Sequence, residues 1–347
     1  MHYLITGHTG FKGAWLTLML HEQGHEVSGI ALNPEPGALF EVAKLKSLLV
    51  HDVRGDIRDA GAVARAFTKI KPDAVFHLAA QPLVLESYRN PRLTIETNVM
   101  GTFNVLEAAL RACSVRAQVV ITTDKVYRNL HQVAGYVEGD ALGGHDPYSS
   151  SKAMADLLTQ SWVSSFDGPP TAIARAGNVI GGGDVCKDRL LPDLLRAFAE
   201  GRLAQIRYPD AVRPWQHVLD CLNGYTMLMD AVIAGKATGS WNFGPGSENF
   251  ITVGAVADLA AQIWSEGAAW EETAGVHPYE AEILALDASK ARMDLGWYDH
   301  LTYRNAVEWT IHWERDFREG TDARTLCTAQ LGDFVNASPP ESHCQPK

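Results

Sequence analysis

Cysteine is scarce in this chain of 347 residues, which has only five: Cys113, Cys186, Cys221, Cys327 and Cys344. They are odd in number, widely spaced, without a C-x-x-C pair, and never set against histidine at zinc spacing. That pattern excludes a disulfide frame and a zinc cluster, and implies reduced thiols and no bound metal. Basic charge is also in short supply: 30 Lys and Arg against 41 Asp and Glu leave a net charge of -11. A nucleic-acid binder needs a basic face, so that class of partner is not expected. An anionic small substrate stays open if a few arginines gather locally. No window offers roughly eighteen apolar residues without charge, so no membrane span is expected. The opening MHYLITGHTG has no basic stretch leading into an apolar one, so no secretory leader is expected either. These absences together predict a cytoplasmic protein.

What is present is an ordinary globular composition, 46% apolar and 20% charged, long enough for one large α/β unit or two domains sharing a core. β-rich runs recur at 2–6, 26–32, 49–53, 74–78, 117–122 and 171–176. Between them, 11–23, 60–70, 93–112 and 148–166 carry apolar residues at helical spacing. Alternation of this kind, with nearly continuous apolar strands, predicts a doubly wound parallel sheet covered by helices on both faces. After about residue 176 the rhythm loosens into loops such as Gly181-Gly182-Gly183 and Arg213-Pro214-Trp215, which suits a smaller, mixed α/β cap over the carboxyl edge of the sheet. The polar, proline-containing stretch 336–347 predicts a disordered tail.

The stretch LITGHTGFKGAWL sets Gly7, Gly10 and Gly13 between the first strand and the first helix. Glycine lets the backbone turn sharply and approach a pyrophosphate, which then rests on the free N–H groups of the helix start. The spacing is G-x-x-G-x-x-G rather than the common G-x-G-x-x-G, but its place in a Rossmann-like pattern predicts dinucleotide binding. At the end of the second strand, Leu32-Asn33-Pro34-Glu35 places neither a carboxylate for an adenosine ribose nor a basic residue for a 2′-phosphate. NAD is the expected cofactor.

Farther along, DPYSSSKAMADLL sets Tyr148 and Lys152 four apart, on one helical face. An ammonium near a phenol favours the phenolate and makes it a general base. None of the other nine tyrosines has a lysine four residues on. Thr123, at the tip of the fifth strand, is placed to share the same sugar hydroxyl. The next two residues, Asp124 and Lys125, form an acid–amine pair just where a buried strand ends. Such a pair is ordinarily a solvated loop; with the tyrosine and lysine downstream it reads as chemistry.

These features resemble the extended short-chain dehydrogenase/reductase family, which acts on nucleotide sugars. The likeness runs over roughly residues 2–315 and is most similar to its CDP-glucose 4,6-dehydratases, through TGHTGFKGAWL, HLAAQPLV, TNVMGT, TTDKVY, GGHDPYSSSK, RAGNVIGGGD, KDRLLPDLLR, RPWQHVLD, WNFGP and HPYEAEILALD. The resemblance implies C4 oxidation with Tyr148 as base, C5 deprotonation by Lys125, protonation of the departing 6-hydroxyl by Asp124, and hydride return to C6. That chemistry asks for a neutral amine beside a neutral acid, which exclusion of water favours. A 4-epimerase or 4-reductase of the same fold is the alternative, and a non-catalytic NAD-binding regulator a more distant one; neither needs the second pair.

The resemblance also implies cofactor contacts from Thr9, Phe11, Lys12, Asp56, Ile57, Ala79, Ala80, Gln81, Asn98 and Thr122, beside the three glycines, Tyr148 and Lys152. For the nucleotide sugar it implies Gln81, Asn178, Arg189, Arg213, His217 and Glu280. The expected division is a cofactor domain over 1–176, with a returning segment near 210–245, and a substrate domain over 177–209 and 246–320. Phe103, Leu106 and Leu110 on one helix, and Met154, Leu157 and Leu158 on another, form apolar stripes that in this family build a four-helix homodimer interface. The segment VYRNLHQVAGYVEGD is thinner in aromatics than the family's usual stretch there.

Overall fold

The computed structural model describes residues 1–130, 132, 134–265, 267–274 and 285–337. Its strands are, in chain order, β1 His2–Thr6, β2 Glu26–Ala31, β3 Leu49–Arg54, β4 Ala74–His77, β5 Ala117–Ile121, β6 Thr171–Ala176, β7 Asn178–Ile180, β8 Ala204–Ile206, β9 Val212–His217, β10 Gly239–Phe243, β11 Phe250–Thr252 and β12 Trp270–Glu272. Seven of them form one parallel sheet in the order β10-β6-β5-β4-β1-β2-β3. The chain winds outward from β1 in both directions, so the strand order reverses between β1 and β4. In open α/β sheets that crevice, at the carboxyl ends of the strands, is where ligands bind.

Both faces of the sheet are covered, which is why its strands read as apolar runs rather than alternating ones. Ile5 and Phe76 face one core with Trp15, Leu16 and Leu222, while their neighbours Leu4 and Val75 face another with Ile30, Phe67 and Val105. Each such fully buried side chain contributes roughly 1.5–3 kcal/mol. His77, at the end of β4, is buried between the hydroxyls of Thr6 and Thr102, at 2.7 and 2.9 Å. It thereby ties β1 and β4 to the helix Gly101–Arg111 at the crevice.

Beyond β6 lie two small sheets, β11-β9-β7 and β12-β8. The helices Leu190–Ala199, Val253–Trp264 and Tyr303–Arg318 join them around a separate core of Leu191, Leu194, Phe198, Ile206, Trp215 and Trp264. The chain returns to the large sheet through the helix Val218–Ile233, which packs on β5 and β6, and through β10.

Several elements differ from the expectation. The helix expected over 93–112 is broken into Pro91–Ile95, a π-helical turn Glu96–Met100, and Gly101–Arg111. Inserted turns of this kind mark places where tertiary contacts override the α-helical ladder, and here the turn carries Asn98. The second strand stops one residue early, at Ala31. The expected tail begins inside an ordered element, since Asn336 ends the helix Ala323–Asn336, and 338–347 lie outside the described residues.

Candidate active site

A cavity of about 370 Å³ opens over the carboxyl ends of β4, β5 and β6 and runs beneath the two small sheets. That size is ordinary for a small-molecule site. At its β1 end, Gly7 takes a left-handed φ of +78°, and a Cβ there would lie 2.8 Å from the Ala79 backbone nitrogen. A Cβ on Gly13 would lie 2.2 Å from the Gly7 carbonyl oxygen. Both positions therefore exclude a side chain for reasons of backbone contact. The helix Phe11–Glu22 starts at Gly10 with no side-chain cap, so its first N–H groups face the crevice without a competing carboxylate or hydroxyl. An uncapped helix start behind a glycine cradle fits the pyrophosphate of a dinucleotide. Lys12 lines the same cavity and donates to the Tyr225 hydroxyl at 3.3 Å.

β5 delivers Thr122, Thr123, Asp124 and Lys125 to the cavity wall. Asp124–Val126 is one short 3₁₀ turn, opened by Thr123, whose hydroxyl oxygen accepts from the Lys125 backbone N–H. The same hydroxyl donates to Asp124 Oδ1 at 2.8 Å. Asp124 is 1% exposed, and its Oδ2 has no hydrogen-bond partner. Lys125 Nζ stands 3.7 Å from Asp124 Oδ1, its side chain a quarter exposed.

Tyr148 and Lys152 come from the first turns of the helix Pro147–Ser165, which Asp146 caps by accepting from the Ser149 N–H. Both line the cavity. Burial pushes the Tyr148 phenol up to about 12; Arg189 and a hydrogen bond with Thr123 pull against that, while Asp124 and Asp146 add to it. Burial likewise brings the Lys152 ammonium down to about 8, with Asp156 opposing. Lys152 donates to the Ile121 carbonyl at 2.8 Å. Among nearby charges, Arg189 is the cation that favours the phenolate.

Behind the wall lies a buried ionic network. Arg175 grips Asp156 with two bonds of 2.8 Å and donates to the Tyr127 hydroxyl at 2.8 Å. Tyr127 in turn donates to Asn242 at 2.7 Å, and Thr122 donates to Asp156 at 3.0 Å. This network joins β5, β6, β10 and the Pro147–Ser165 helix directly beneath the reactive turn. Apart from Thr122, none of its members stands out in the sequence, because the partners are far apart along the chain.

Of the other expected contacts, Ala80, Asn178, Arg189 and Arg213 line the cavity. Thr9 donates to the Leu32 carbonyl at 3.1 Å. Phe11 packs against the main core. Asp56 follows β3 and holds Arg58, which keeps its carboxyl below the usual range, while Ile57 is buried against Gly101. Three of the expected residues do not line the cavity and bond within the fold. Gln81 uses its side chain on Leu83 and Thr94. Asn98 braces the same loop, bonding Gln81 N, Gln81 O and Ser151. His217 is fully buried, caps the helix Val218–Ile233 by accepting from the Leu219 N–H, and sits against Trp309. All three are set back from the cavity lining; Gln81 and Asn98 spend their side-chain amides on the fold, whereas the buried Nε2 of His217 has no hydrogen-bond partner. Glu280 lies outside the described residues.

Two features went unread. Arg54, at the end of β3, donates to the Leu32 carbonyl at 3.1 Å and pairs with Asp52 at 2.7 Å, so the β2 end is not bare of charge. The cap wall brings Asp184, Arg207, Tyr208 and Trp215 to the cavity, through strands too short to leave a periodic signal.

A family model described as GDP-mannose 4,6 dehydratase matches residues 4–310. A CDP-glucose 4,6-dehydratase of Salmonella typhimurium is 41% identical over 345 residues, with 96% of each chain covered. A dTDP-glucose 4,6-dehydratase of Escherichia coli is 28% identical, covering 90% of this chain and 92% of its own. Among solved structures, DesIV, a dTDP-glucose 4,6-dehydratase from Streptomyces venezuelae with NAD bound, matches at a TM-score of 0.79 and 25% identity, covering 92% of this chain and 98% of that one. A UDP-glucose 4-epimerase of Thermus thermophilus in complex with NAD shares the fold, with a TM-score of 0.80 and 24% identity over 91% of this chain and 99% of that one. The seven-stranded sheet, the glycine cradle and the tyrosine–lysine helix thus sit in a chain that belongs to the GDP-mannose 4,6-dehydratase family of the extended short-chain dehydrogenase/reductases.

Proposed function

We propose that this chain is an NAD-dependent lyase that converts CDP-glucose to CDP-4-keto-6-deoxyglucose and water. The observation that carries the reading is one cavity lined by both Tyr148 with Thr123 and Asp124 with Lys125, the latter pair including a buried, unpartnered carboxylate oxygen. A 4-epimerase only oxidises and re-reduces C4, so it has no use for that second pair. The 41% identity to an enzyme named for CDP-glucose supports the choice of nucleotide.

NAD, when bound, would supply the hydride chemistry by which C4 is oxidised and C6 reduced. The cradle of Gly7, Gly10 and Gly13 and the uncapped helix start hold its pyrophosphate. Tyr148 receives the proton of the sugar's 4-hydroxyl, and the ketone so formed acidifies the C5 hydrogen. Lys125 takes that hydrogen as a proton, and Asp124 gives a proton to the departing 6-hydroxyl. Arg189 and Arg213, which line the cap side, suit the diphosphate oxygens, with Asn178 beside them. The cap elements after β6 would then form the substrate domain, and 1–176 with the returning helix and β10 the cofactor domain. The chain works as a homodimer through its helices Gly101–Arg111 and Pro147–Ser165, in the cytoplasm, where the free thiols of Cys113 and Cys186 persist.

The test is incubation of the purified protein with CDP-glucose and NAD, followed by alkali. A 4-keto-6-deoxy sugar develops a near-ultraviolet absorbance there. A sugar isomer without that absorbance would mean epimerisation, and an unchanged substrate would remove the reading.

A further inference from the structure

The two reactive pairs are not separate in the structure: one hydroxyl joins them. Thr123 donates to Asp124 Oδ1 at 2.8 Å, and the same hydroxyl is hydrogen bonded with the Tyr148 phenol. The line runs from Tyr148 through Thr123 to Asp124, entirely among buried side chains. Asp124 then presents its other oxygen, Oδ2, which has no partner, in a residue that lines the cavity.

We propose that Tyr148, Thr123 and Asp124 form a proton relay, so that the proton leaving the sugar's 4-hydroxyl is the one delivered to the departing 6-hydroxyl. This rests on the dehydratase reading and deepens it. The atoms balance on that route. The O4–H bond breaks; the phenol passes a proton to Thr123 as it takes one from O4, and Thr123 passes one to Oδ1 of Asp124. The C4 hydride goes to NAD and returns to C6. The C5 proton goes to Lys125, whose amine hydrogens exchange with water, and Lys125 gives one proton back to C5. The only hydrogen not restored to the sugar is therefore that of the 4-hydroxyl, and it is the one hydrogen that the leaving hydroxide needs to become water. Asp124 takes the proton on Oδ1, and a half-turn of its carboxyl about Cβ–Cγ carries that proton to the side now held by the unpartnered Oδ2, from which it passes to the departing hydroxyl.

A relay also removes two difficulties. A phenol that burial holds at about 12 is a poor free base near neutral pH, yet it can pass a proton on without ever becoming a stable phenolate. The buried Asp124 also receives, from inside the site, the proton that the departing hydroxyl needs, without drawing on bulk water.

The experiment is a stopped-flow single turnover of the NAD-loaded protein with CDP-glucose in weak buffer. Reduced nicotinamide is followed by absorbance and bulk protons by an indicator dye, for the wild type, Thr123→Ser and Thr123→Val. The wild type and Thr123→Ser are expected to release no proton to solvent while reduced nicotinamide builds up. Thr123→Val is expected to release one proton for each reduced nicotinamide formed, about 100-fold more slowly. Release of one proton per reduced nicotinamide by the wild type, or proton silence in Thr123→Val, would overturn the relay while leaving the dehydratase reading intact. A wild type that neither reduces NAD nor makes the keto sugar would overturn both.

Discussion

Lys125 is the residue whose role separates elimination from simple oxidation. Its amine stands at the cavity wall, beside the Asp124 carboxylate and only partly exposed. Removing it leaves Tyr148 and the C4 chemistry untouched. Lys125→Met is therefore expected to keep formation of reduced nicotinamide with CDP-glucose while lowering deuterium exchange from solvent into C5 by about 10²–10⁴-fold, the usual weight of a general base. Exchange at the wild-type rate, read by mass spectrometry of recovered sugar, would assign the base elsewhere. At this scale the sequence was legible where chemistry follows chain order: Thr123, Asp124 and Lys125 are consecutive, and Tyr148 and Lys152 lie one helical turn apart. It was silent where a polar side chain finds its partner across the fold. The bonds of Gln81 to Thr94 and of Asn98 to Ser151 join residues that no local pattern connects. The same blindness hid Arg54, which reaches the end of β2 only because Ala31 and Arg54 are paired neighbours on adjacent strands.

Among the elements, the strands β1 to β6 could be placed to within a residue or two, because burial on both faces, β3 at the sheet edge excepted, leaves largely apolar runs. The cap could not: its strands of three residues carry too few positions for a period, and its helices lie between glycine- and proline-rich loops that dominate the reading. The helix Pro147–Ser165 has two tasks. Its inner face places Tyr148 and Lys152, and its outer face leaves Met154 at 38% and Leu157 at 51% exposure. Trp162 on the same helix meets Phe103 on the neighbouring one with ring centroids 5.3 Å apart. An apolar stripe across two adjacent helices is what a self-complementary interface requires. Leu157→Glu is expected to turn a micromolar dimer into a monomer in sedimentation equilibrium, with the far-ultraviolet circular dichroism unchanged. A wild-type protein that sediments as a monomer would remove the interface.

For the whole molecule, buried histidines shape the response to acid, and two of the three, His77 and His217, are shifted furthest. Burial lowers both His77 and His217 from 6.5 to about 3. The unfolded chain therefore binds more protons than the folded one between those values, and stability rises with pH across that window. Stability is complete above pH 6.5 and is lost as pH falls toward 3, at about 1.4 kcal/mol per pH unit for each ring. His217→Asn keeps an acceptor suited to capping the helix but removes the titration. Its urea midpoint is expected to fall less steeply with acid than that of the wild type, by one proton's worth of slope. Parallel midpoint curves would show that His217 does not carry the dependence.

The position of β10 has a consequence for synthesis. The strand that covers β6 ends at Phe243, so the first part of the cap, with β7, β8, β9 and the helix Leu190–Ala199, must be made between two neighbouring strands of one sheet. A nascent chain that has just completed β6 carries an open, apolar edge with unpaired amide and carbonyl groups, and it must keep that edge from joining another chain while some sixty more residues leave the ribosome. Assembly is thus late and long-range by construction, and the stretch of translation before β10 docks is when this protein is most exposed to aggregation.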